Sequence, residues 1–292
     1  MDEQQGKLKA KAYYDQEAAD YIAQYRDDYS VEYPANLIRI KFIIERLKQN
    51  GVKTILDAGC GTCGPMIRLL KEGFDVRGFD FSKEMVEQGK KELENAGFSP
   101  DLISWADLED TSTLPQGSFD AILALGVFPH IINEPKSLTN MHQMLNTNGL
   151  VFIEFRNDLF ASYTFNRYSL DFFLNRVIDL PAVPNDIKDE LIQFYANRLQ
   201  VEPPAPREDG KIAYTDILAK FKNPLTIGSE LFKPCGLSIV HTHFYHFHAL
   251  PPVFEQSYPQ IFRELSLKME NTLDWRGNLM ASAFVIEAKK EN

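Results

Sequence analysis

The sequence is poor in cysteine, in long hydrophobic runs and in excess positive charge. Its 292 residues contain 3 Cys, too few for a disulfide scaffold, and this number favours a reducing compartment. Its longest apolar run, residues 121–128, is far shorter than the ~20 residues of a membrane helix. The first residues lack the pattern of a secretory signal. We therefore expect a cytoplasmic protein without a membrane partner.

The charge balance narrows the choice of partners. The sequence has 41 Asp+Glu against 31 Lys+Arg, a formal net charge of −10. Nucleic acids and anionic membranes bind through excess Lys and Arg, so this balance argues against both. At 44% hydrophobic and 25% charged residues the composition is that of an ordinary globular protein, which excludes disorder and fibrous repeats.

Helical and strand patterns alternate through the first half of the chain. The predicted helices are 8–30, 35–49, 65–71, 82–95 and 135–145, and the predicted strands are 53–56, 75–79, 101–105, 119–125 and 150–155. Strands that alternate with helices at this spacing predict a parallel sheet with helices on both faces. The fold class expected is therefore α/β, with a doubly wound sheet.

The alternation stops at Arg156. Residues 156–232 show no clear strand, and the helical stretches there are 168–179, 185–199 and 214–222. Sheet character returns with strand 237–247, helix 258–270 and strand 278–288, a pattern that suggests an antiparallel closing strand. We expect an N-terminal helical cover over residues 1–34, a main domain of residues 35–155 and 233–292, and an inserted, mostly helical lid over residues 156–232.

A glycine-rich segment follows the first predicted strand of this domain. Gly59-Cys60-Gly61-Thr62-Cys63-Gly64 matches G-x-G-x-x-G, a pattern found in nicotinamide and flavin dinucleotide sites. Asp57, two residues before the first Gly, favours a cationic group such as an ammonium, because its carboxylate opposes a pyrophosphate. Cys60 and Cys63 have the spacing of a redox or zinc pair, although a small buried cysteine is the more common role.

Residues 55–65 resemble the first signature of class I S-adenosylmethionine-dependent methyltransferases, and the resemblance extends over about residues 35–155. Asp80 ends the second strand, Asp107 follows the third, and residues 119–127 look like the family's fourth-strand segment. The resemblance implies a Rossmann-like, mostly parallel seven-stranded sheet with an antiparallel last strand. It also implies S-adenosyl-L-methionine as cofactor, and methyl transfer to an oxygen or nitrogen of a small metabolite or sugar-like acceptor.

The resemblance also implies a set of cofactor contacts. Asp57, Gly59 and Gly61 would bracket the methionine part of the cofactor, Asp80 would bind the ribose, and Phe81 and Asp107 would lie at the adenine. The full expected set is Asp57, Gly59, Cys60, Gly61, Asp80, Phe81, Ala106, Asp107, Leu108, Leu125 and Gly126.

Candidates for the chemistry lie near the carboxyl ends of the predicted strands, where ligands bind in doubly wound sheets. His130 is a candidate base or substrate ligand, with hydrogen bonding to the backbone as the alternative. Arg156 is a candidate clamp for a carboxylate or phosphate, with a surface ion pair as the alternative. The remaining candidates are His246 for catalysis, and Tyr14, Tyr21, Asn157 and His248 for substrate binding.

Other functions stay open at this level. The histidines in residues 241–248 could bind a metal only with a ligand from elsewhere, so no metal is expected. A nucleic-acid or protein methyltransferase, a non-catalytic S-adenosylmethionine-binding protein and a nicotinamide oxidoreductase remain alternatives. A homodimer is possible.

Overall fold

A mixed eight-stranded sheet forms the centre of the protein. In the computed structural model, which describes residues 3–18, 21, 33–178, 180–199, 212, 217 and 219–291, the strand order is β3-β2-β1-β4-β5-β8-β7, with β6 paired to β5. The strands are β1 Thr54–Ala58, β2 Asp75–Asp80, β3 Ile103–Trp105, β4 Phe119–Ala124, β5 Leu145–Asn157, β6 Phe221–Lys222, β7 Leu237–Phe247 and β8 Ala281–Lys290. The helices are α1 Glu3–Glu17, α2 Ala35–Gln49, α3 Gly64–Lys71, α4 Lys83–Asn95, α5 Glu134–Gln143, α6 Ala161–Thr164, α7 Arg167–Phe172, α8 Asn185–Ala196, α9 Pro259–Met269 and α10 Gly277–Met280.

The sheet has the expected direction pattern. Strands β1 to β6 pair in parallel, whereas β8 is antiparallel to both β5 and β7. Parallel strands are covered by helices on both faces and therefore carry continuous apolar residues, as β1 does with Ile55, Leu56 and Ala58 fully buried. The prediction of a doubly wound, mostly parallel sheet with an antiparallel last strand is confirmed.

Two apolar clusters cover the faces of the sheet. On one face Phe155 stacks on Phe284, with ring centroids 5.7 Å apart. On the other face α2 buries Leu37, Ile40, Ile43 and Leu47, whose spacing of three to four residues places them on one helical stripe. Both layers position the carboxyl ends of β1, β2 and β4 at one edge.

Several boundaries differ from the predictions. Residues 156–232 were expected to contain no strand, yet β5 runs through Asn157, and β6 pairs in parallel with its last two residues. The two residues of β6 lie in no apolar run, so the sequence shows no hydrophobic periodicity typical of a strand there. The predicted end of helix 214–222 is therefore wrong. Of the rest of that helix, residues 214–216 and 218 lie outside the described residues.

Three further helix and strand boundaries also differ from the predicted ones. The described part of helix 8–30 is α1, which ends at Glu17, and most of residues 19–32 lie outside the described part. Helix 168–179 is α7 followed by a π-helical turn over Phe173–Val177. The last strand begins at Ala281, because residues 277–280 form the helical turn α10.

A buried ion cluster fastens α2 to the sheet. Arg46 donates from Nε and Nη2 to the two oxygens of Glu287, both at 2.8 Å, and the His243 Nε2 lies 2.8 Å from Glu287 Oε2. Burial acts to raise the pKa of Glu287, but the contacts with His243 and Arg46 outweigh it, and the pKa falls to about 2. Glu287 therefore stays ionised in the centre of β8.

No helix among the described residues combines the length and apolar character needed to cross a membrane.

Candidate cofactor and acceptor site

The turn between β1 and α3 is held against β2 by the backbone. The N–H groups of Gly59 and Cys60 both donate to the Phe79 carbonyl, at 2.8 and 3.0 Å. Gly59 has φ +83°, and a Cβ there would lie 2.3 Å from Val127 Cγ2. A side chain would therefore be strained and would collide with the loop after β4. Glycine keeps this turn tight and leaves its backbone open to the adjoining cavity.

A cavity, which we call the main cavity, lies at this turn. All of the residues that the sequence assigned to the cofactor line it, from Asp57 to Gly126. The candidate base His130 and the candidate substrate contacts Tyr14 and Tyr21 also line it. The cavity lies beside the carboxyl ends of β1, β2 and β4, the edge where doubly wound sheets bind ligands.

Asp57 is a buried acid with an unused oxygen. Its side chain is 1% exposed, and its Oδ2 has no hydrogen-bond partner among the described residues. Burial raises the pKa of Asp57 to about 7, an effect that Arg39 opposes and Asp80 reinforces. A buried carboxylate without a partner is costly, and a cationic ligand group in the cavity would satisfy it.

Asp80 is held in place by the backbone around it. Its Oδ2 accepts from Gly61 N and its Oδ1 from Ser82 N, both at 2.9 Å. Burial raises the pKa of Asp80 to about 6, although the backbone hydrogen bonds act to lower it. Each carboxylate oxygen has a second lone-pair site, so Asp80 can also accept from a pair of neighbouring hydroxyl groups.

Helix α1 closes one side of the cavity. The Tyr14 hydroxyl lies 2.9 Å from His130 Nε2, and the two rings meet edge to face with centroids 5.5 Å apart. Burial raises the pKa of Tyr14 above its ordinary value, so its hydroxyl stays protonated. His130 is 7% exposed and begins the segment leading into α5. The structure therefore places a hydroxyl and an imidazole in contact at the cavity wall.

A second cavity shares Tyr14, Tyr21, Leu125 and Gly126 with the first. It is also lined by Arg39, Glu154 and Arg156 and by the polar side chains of Tyr13 and Asn36. Arg39 is 3% exposed and forms an ion pair with Glu154. We call this second cavity the acceptor chamber.

The remaining predicted residues do not line either cavity. The Asn157 Nδ2 donates to the carbonyls of Gly277, Asn278 and Ala281 at 3.1, 2.9 and 2.8 Å, so this side chain ties β5 to α10. His246 contacts Ser282 Oγ at 2.9 Å, and its ring lies 4.8 Å from that of His248.

His248 is buried and His246 is partly buried, and both are electrically neutral. Burial lowers the pKa of His246 to about 4 and that of His248 to about 3. The ring of His248 packs against Phe160, with centroids 4.7 Å apart. These contacts give the two side chains a packing role at the end of β7.

Neither of the metal or redox arrangements considered from the sequence is assembled. Cys60 and Cys63 are free and buried, and contact with Cys63 and burial raise the pKa of the Cys60 thiol well above its ordinary value. A thiol with a raised pKa is a weak nucleophile. Within the part of the chain that the structure describes, no three His, Cys, Asp or Glu side chains converge on a metal-binding point.

Three charged residues near the cavities were missed at the sequence level. Lys7 lines the main cavity, and Arg39 and Glu154 line the acceptor chamber. Arg39 carried one signal, since it is a charged residue between the apolar positions Leu37 and Ile40 of an amphipathic helix. Lys7 and Glu154 carried none, because their partners are about 100 residues away in sequence.

The residues present fit S-adenosylmethionine. The free Oδ2 of Asp57 suits the ammonium of its methionine part, and Asp80 has acceptor capacity for the two ribose hydroxyls. Phe81, Ala106 and Leu108 provide apolar walls for a flat base. The glycine turn gives the close backbone approach that the methionine part needs.

Comparison with known proteins agrees with this fit. Residues 56–153 match the family described as "Methyltransferase domain". The chain is 31% identical over 161 residues to the glycine/sarcosine N-methyltransferase of Aphanothece halophytica, covering 53% of this chain and 59% of that protein. It is 32% identical over 133 residues to the glycine N-methyltransferase of Oryctolagus cuniculus, covering 40% and 45% of the two chains. The matches thus span less than two thirds of these relatives.

Solved structures show the same fold over nearly the whole chain. Magnesium protoporphyrin IX methyltransferase from Synechocystis PCC 6803, solved with bound S-adenosylhomocysteine, superposes with a TM-score of 0.55 at 14% identity, covering 97% of this chain and 98% of that chain. An S-adenosylmethionine-dependent methyltransferase from Clostridium acetobutylicum ATCC 824 gives 0.52 at 14% identity, with 90% and 94% coverage. Together with the sheet order and the glycine turn, these comparisons show that residues 56–153 match a methyltransferase domain and that the chain has the fold of S-adenosylmethionine-dependent methyltransferases.

Proposed function

We propose that this chain transfers the methyl group of S-adenosyl-L-methionine to an oxygen or nitrogen of a small-molecule acceptor. The observation that carries the proposal is the unpaired buried carboxylate of Asp57 beside the glycine turn, in a cavity that adjoins a polar chamber. The cofactor supplies a methyl group on a positively charged sulfur. The chain supplies orientation, because methyl transfer requires the nucleophile, methyl group and sulfur in line.

The acceptor chamber supports a small polar acceptor that carries an anionic group. Arg156 lines the chamber, and a guanidinium can bind a carboxylate or phosphate in two-pronged geometry. Two of the relatives act on glycine by their names, and glycine has both an amine and a carboxylate. We therefore propose amines that carry a carboxylate as the first acceptors to test.

Tyr14 and His130 are the proposed groups for the acceptor's proton. A base within hydrogen-bond reach can remove the proton from a hydroxyl or ammonium nucleophile, and the imidazole of His130 contacts the Tyr14 hydroxyl at the cavity wall. Removing the imidazole should lower kcat by about 10²-fold. His142 offers a matched control, because it lies on α5 beside Gly236 and lines neither of the two cavities.

The test is turnover with isotope-labelled methyl donor. The protein is incubated with labelled S-adenosylmethionine and glycine, sarcosine, small hydroxy acids or sugars, and the labelled product is identified by mass spectrometry. We expect one acceptor class to be labelled, with His130→Ala slow and His142→Ala unchanged. Binding of the donor without labelling of any metabolite fraction would instead indicate a non-catalytic binding protein.

The net charge of −10 argues against a nucleic-acid partner, and we propose a cytoplasmic location. We propose the homodimer only as an arrangement to be tested by light scattering.

A further inference from the structure

Helix α1 crosses the main cavity and touches both of its ends. Lys7 and Tyr14 are seven residues apart, so they lie on the same face of the helix. Ala10, between them, is fully buried. Tyr14 reaches His130 at the acceptor end, and Lys7 reaches Asp107 at the other end. This face of α1 therefore contacts both ends of the cavity.

Lys7 joins two acidic side chains. Its Nζ donates to Asp107 Oδ2 at 2.9 Å and to Glu109 Oε2 at 2.5 Å. The other oxygen of Asp107 accepts from Glu109 N at 3.0 Å, and Asp107 N donates to Thr113 Oγ1 at 3.0 Å. The carboxylate of Asp107 is thus fixed through both oxygens.

The fixed carboxylate still has room for a ligand. An ionised carboxylate has about four lone-pair sites, and the contacts above occupy two of them. Phe81, Ala106 and Leu108 line the cavity next to Asp107, so a flat base between these apolar side chains can present an exocyclic group to the free sites. An amino group donates to the carboxylate, whereas a carbonyl oxygen is repelled by it.

Lys7 also balances the charge of the pair. Burial acts to lower the pKa of Lys7, but the hydrogen bonds to Glu109 and Asp107 outweigh it, and the pKa is raised. The ammonium therefore stays charged between the two acids. Glu109 in turn accepts from Asn133 N at 2.7 Å. Without Lys7 the two carboxylates would repel each other, and Asp107 would lose one of the contacts that orient it.

We propose that Lys7 is a positioning residue for base recognition: it orients Asp107 to accept the 6-amino group of adenine and so makes the site selective for adenine over a 6-oxo purine. The inference rests on the proposed function, because it takes the ligand to be the S-adenosyl cofactor. Removing Lys7 should reduce the preference for the 6-amino ligand about tenfold, the scale of one charge-assisted hydrogen bond.

The test compares S-adenosylhomocysteine with S-inosylhomocysteine, which has a 6-oxo purine. Their dissociation constants are measured by calorimetry for the wild type, Lys7→Ala, Lys7→Arg and Lys9→Ala. Lys9 is an exposed residue of the same helix and serves as the matched control. We expect Lys7→Ala to lose about tenfold of the preference, Lys9→Ala to keep it, and Lys7→Arg to restore most of it.

The outcomes separate this inference from the proposed function. If the wild type binds neither ligand, the proposed function fails. If the wild type prefers adenine and Lys7→Ala keeps the full preference, or if the wild type binds both ligands equally, the role of Lys7 is refuted. Asp107→Asn provides a second test. In the Asp107→Asn background, adding Lys7→Ala should have little further effect on the ratio of the two dissociation constants. Thermal melting of each variant identifies any loss of folding, which would affect both ligands alike.

Discussion

The protonation of Asp57 should control cofactor affinity. Burial raises the pKa of this carboxyl to about 7, against opposition from Arg39 and with reinforcement from Asp80. The cofactor's ammonium favours the ionised carboxylate, so affinity should rise as pH increases through 7. The sign follows from the raised pKa, because the acid is mostly protonated below 7 and mostly ionised above it.

The magnitude follows from the ionised fraction. With a pKa near 7, about 90% of Asp57 is ionised at pH 8 and about 10% at pH 6, so affinity should fall about tenfold, or ~1.4 kcal/mol. Asp80, whose pKa is raised by burial to about 6, should steepen the loss further near and below pH 6.

Calorimetry with S-adenosylhomocysteine at pH 6, 7 and 8 measures this dependence. Asp57→Asn should bind more weakly at pH 8 and lose most of the slope. Asp120→Asn is the matched control: burial acts to raise the pKa of Asp120, but hydrogen bonds from Thr54 and Asn146 outweigh it and lower the pKa. Equal wild-type affinity at pH 6 and 8, or an undiminished slope in Asp57→Asn, would refute the reasoning.

Three further predictions concern stability. Gly59→Ala should lower the unfolding free energy by roughly 2–5 kcal/mol, because strain at positive φ adds to the collision with Val127. Gly51→Ala, where φ is +66° and nothing lies within 4 Å of the added Cβ, should lower it by only about 1 kcal/mol. Urea titration measures both losses, and equal losses would contradict this reasoning. Asn157→Ala should cost about 1–3 kcal/mol without changing the acceptor KM, and a raised KM at unchanged stability would restore it as a substrate contact. Glu287→Gln should lower the unfolding free energy by about 3 kcal/mol at pH 7. It should also flatten the decline of stability between pH 4.5 and 2, because the depressed pKa of Glu287 stabilises the fold above that range and this stabilisation is lost within it. An unchanged acid unfolding curve would contradict the role of the ion cluster.

The sheet was readable from the sequence because its signals are local. Apolar strands of four to six residues, such as the one ending at Ala58, alternate with longer amphipathic helices such as α2, and hydrophobic period together with segment length separates the two. The short strand β6 was not readable, because Phe221 and Lys222 form a strand only by pairing with the end of β5.

That the residues predicted for the cofactor would line one cavity was also readable, since they lie at or just after the ends of strands. Asp57 and Asp80 lie near the carboxyl ends of β1 and β2, Asp107 lies two residues after β3, and parallel strands bring such positions to one edge. The contacts of Lys7 and Arg39 depend on how α1 and α2 pack against that edge, which no local pattern specifies. That His246 and His248 line neither of the two cavities was not readable for the same reason, since strand alternation does not tell whether the strand's end faces a cavity or a packed ring.

The most direct test of the account is binding of S-adenosylmethionine to the wild type and to Asp80→Ala, with NAD as the comparison ligand. We expect the wild type to bind S-adenosylmethionine saturably in calorimetry and not to bind NAD. Asp80→Ala should bind S-adenosylmethionine at least tenfold more weakly, because the carboxylate's hydrogen bonds to the ribose are lost. Unchanged affinity in Asp80→Ala, or tighter binding of NAD, would contradict it.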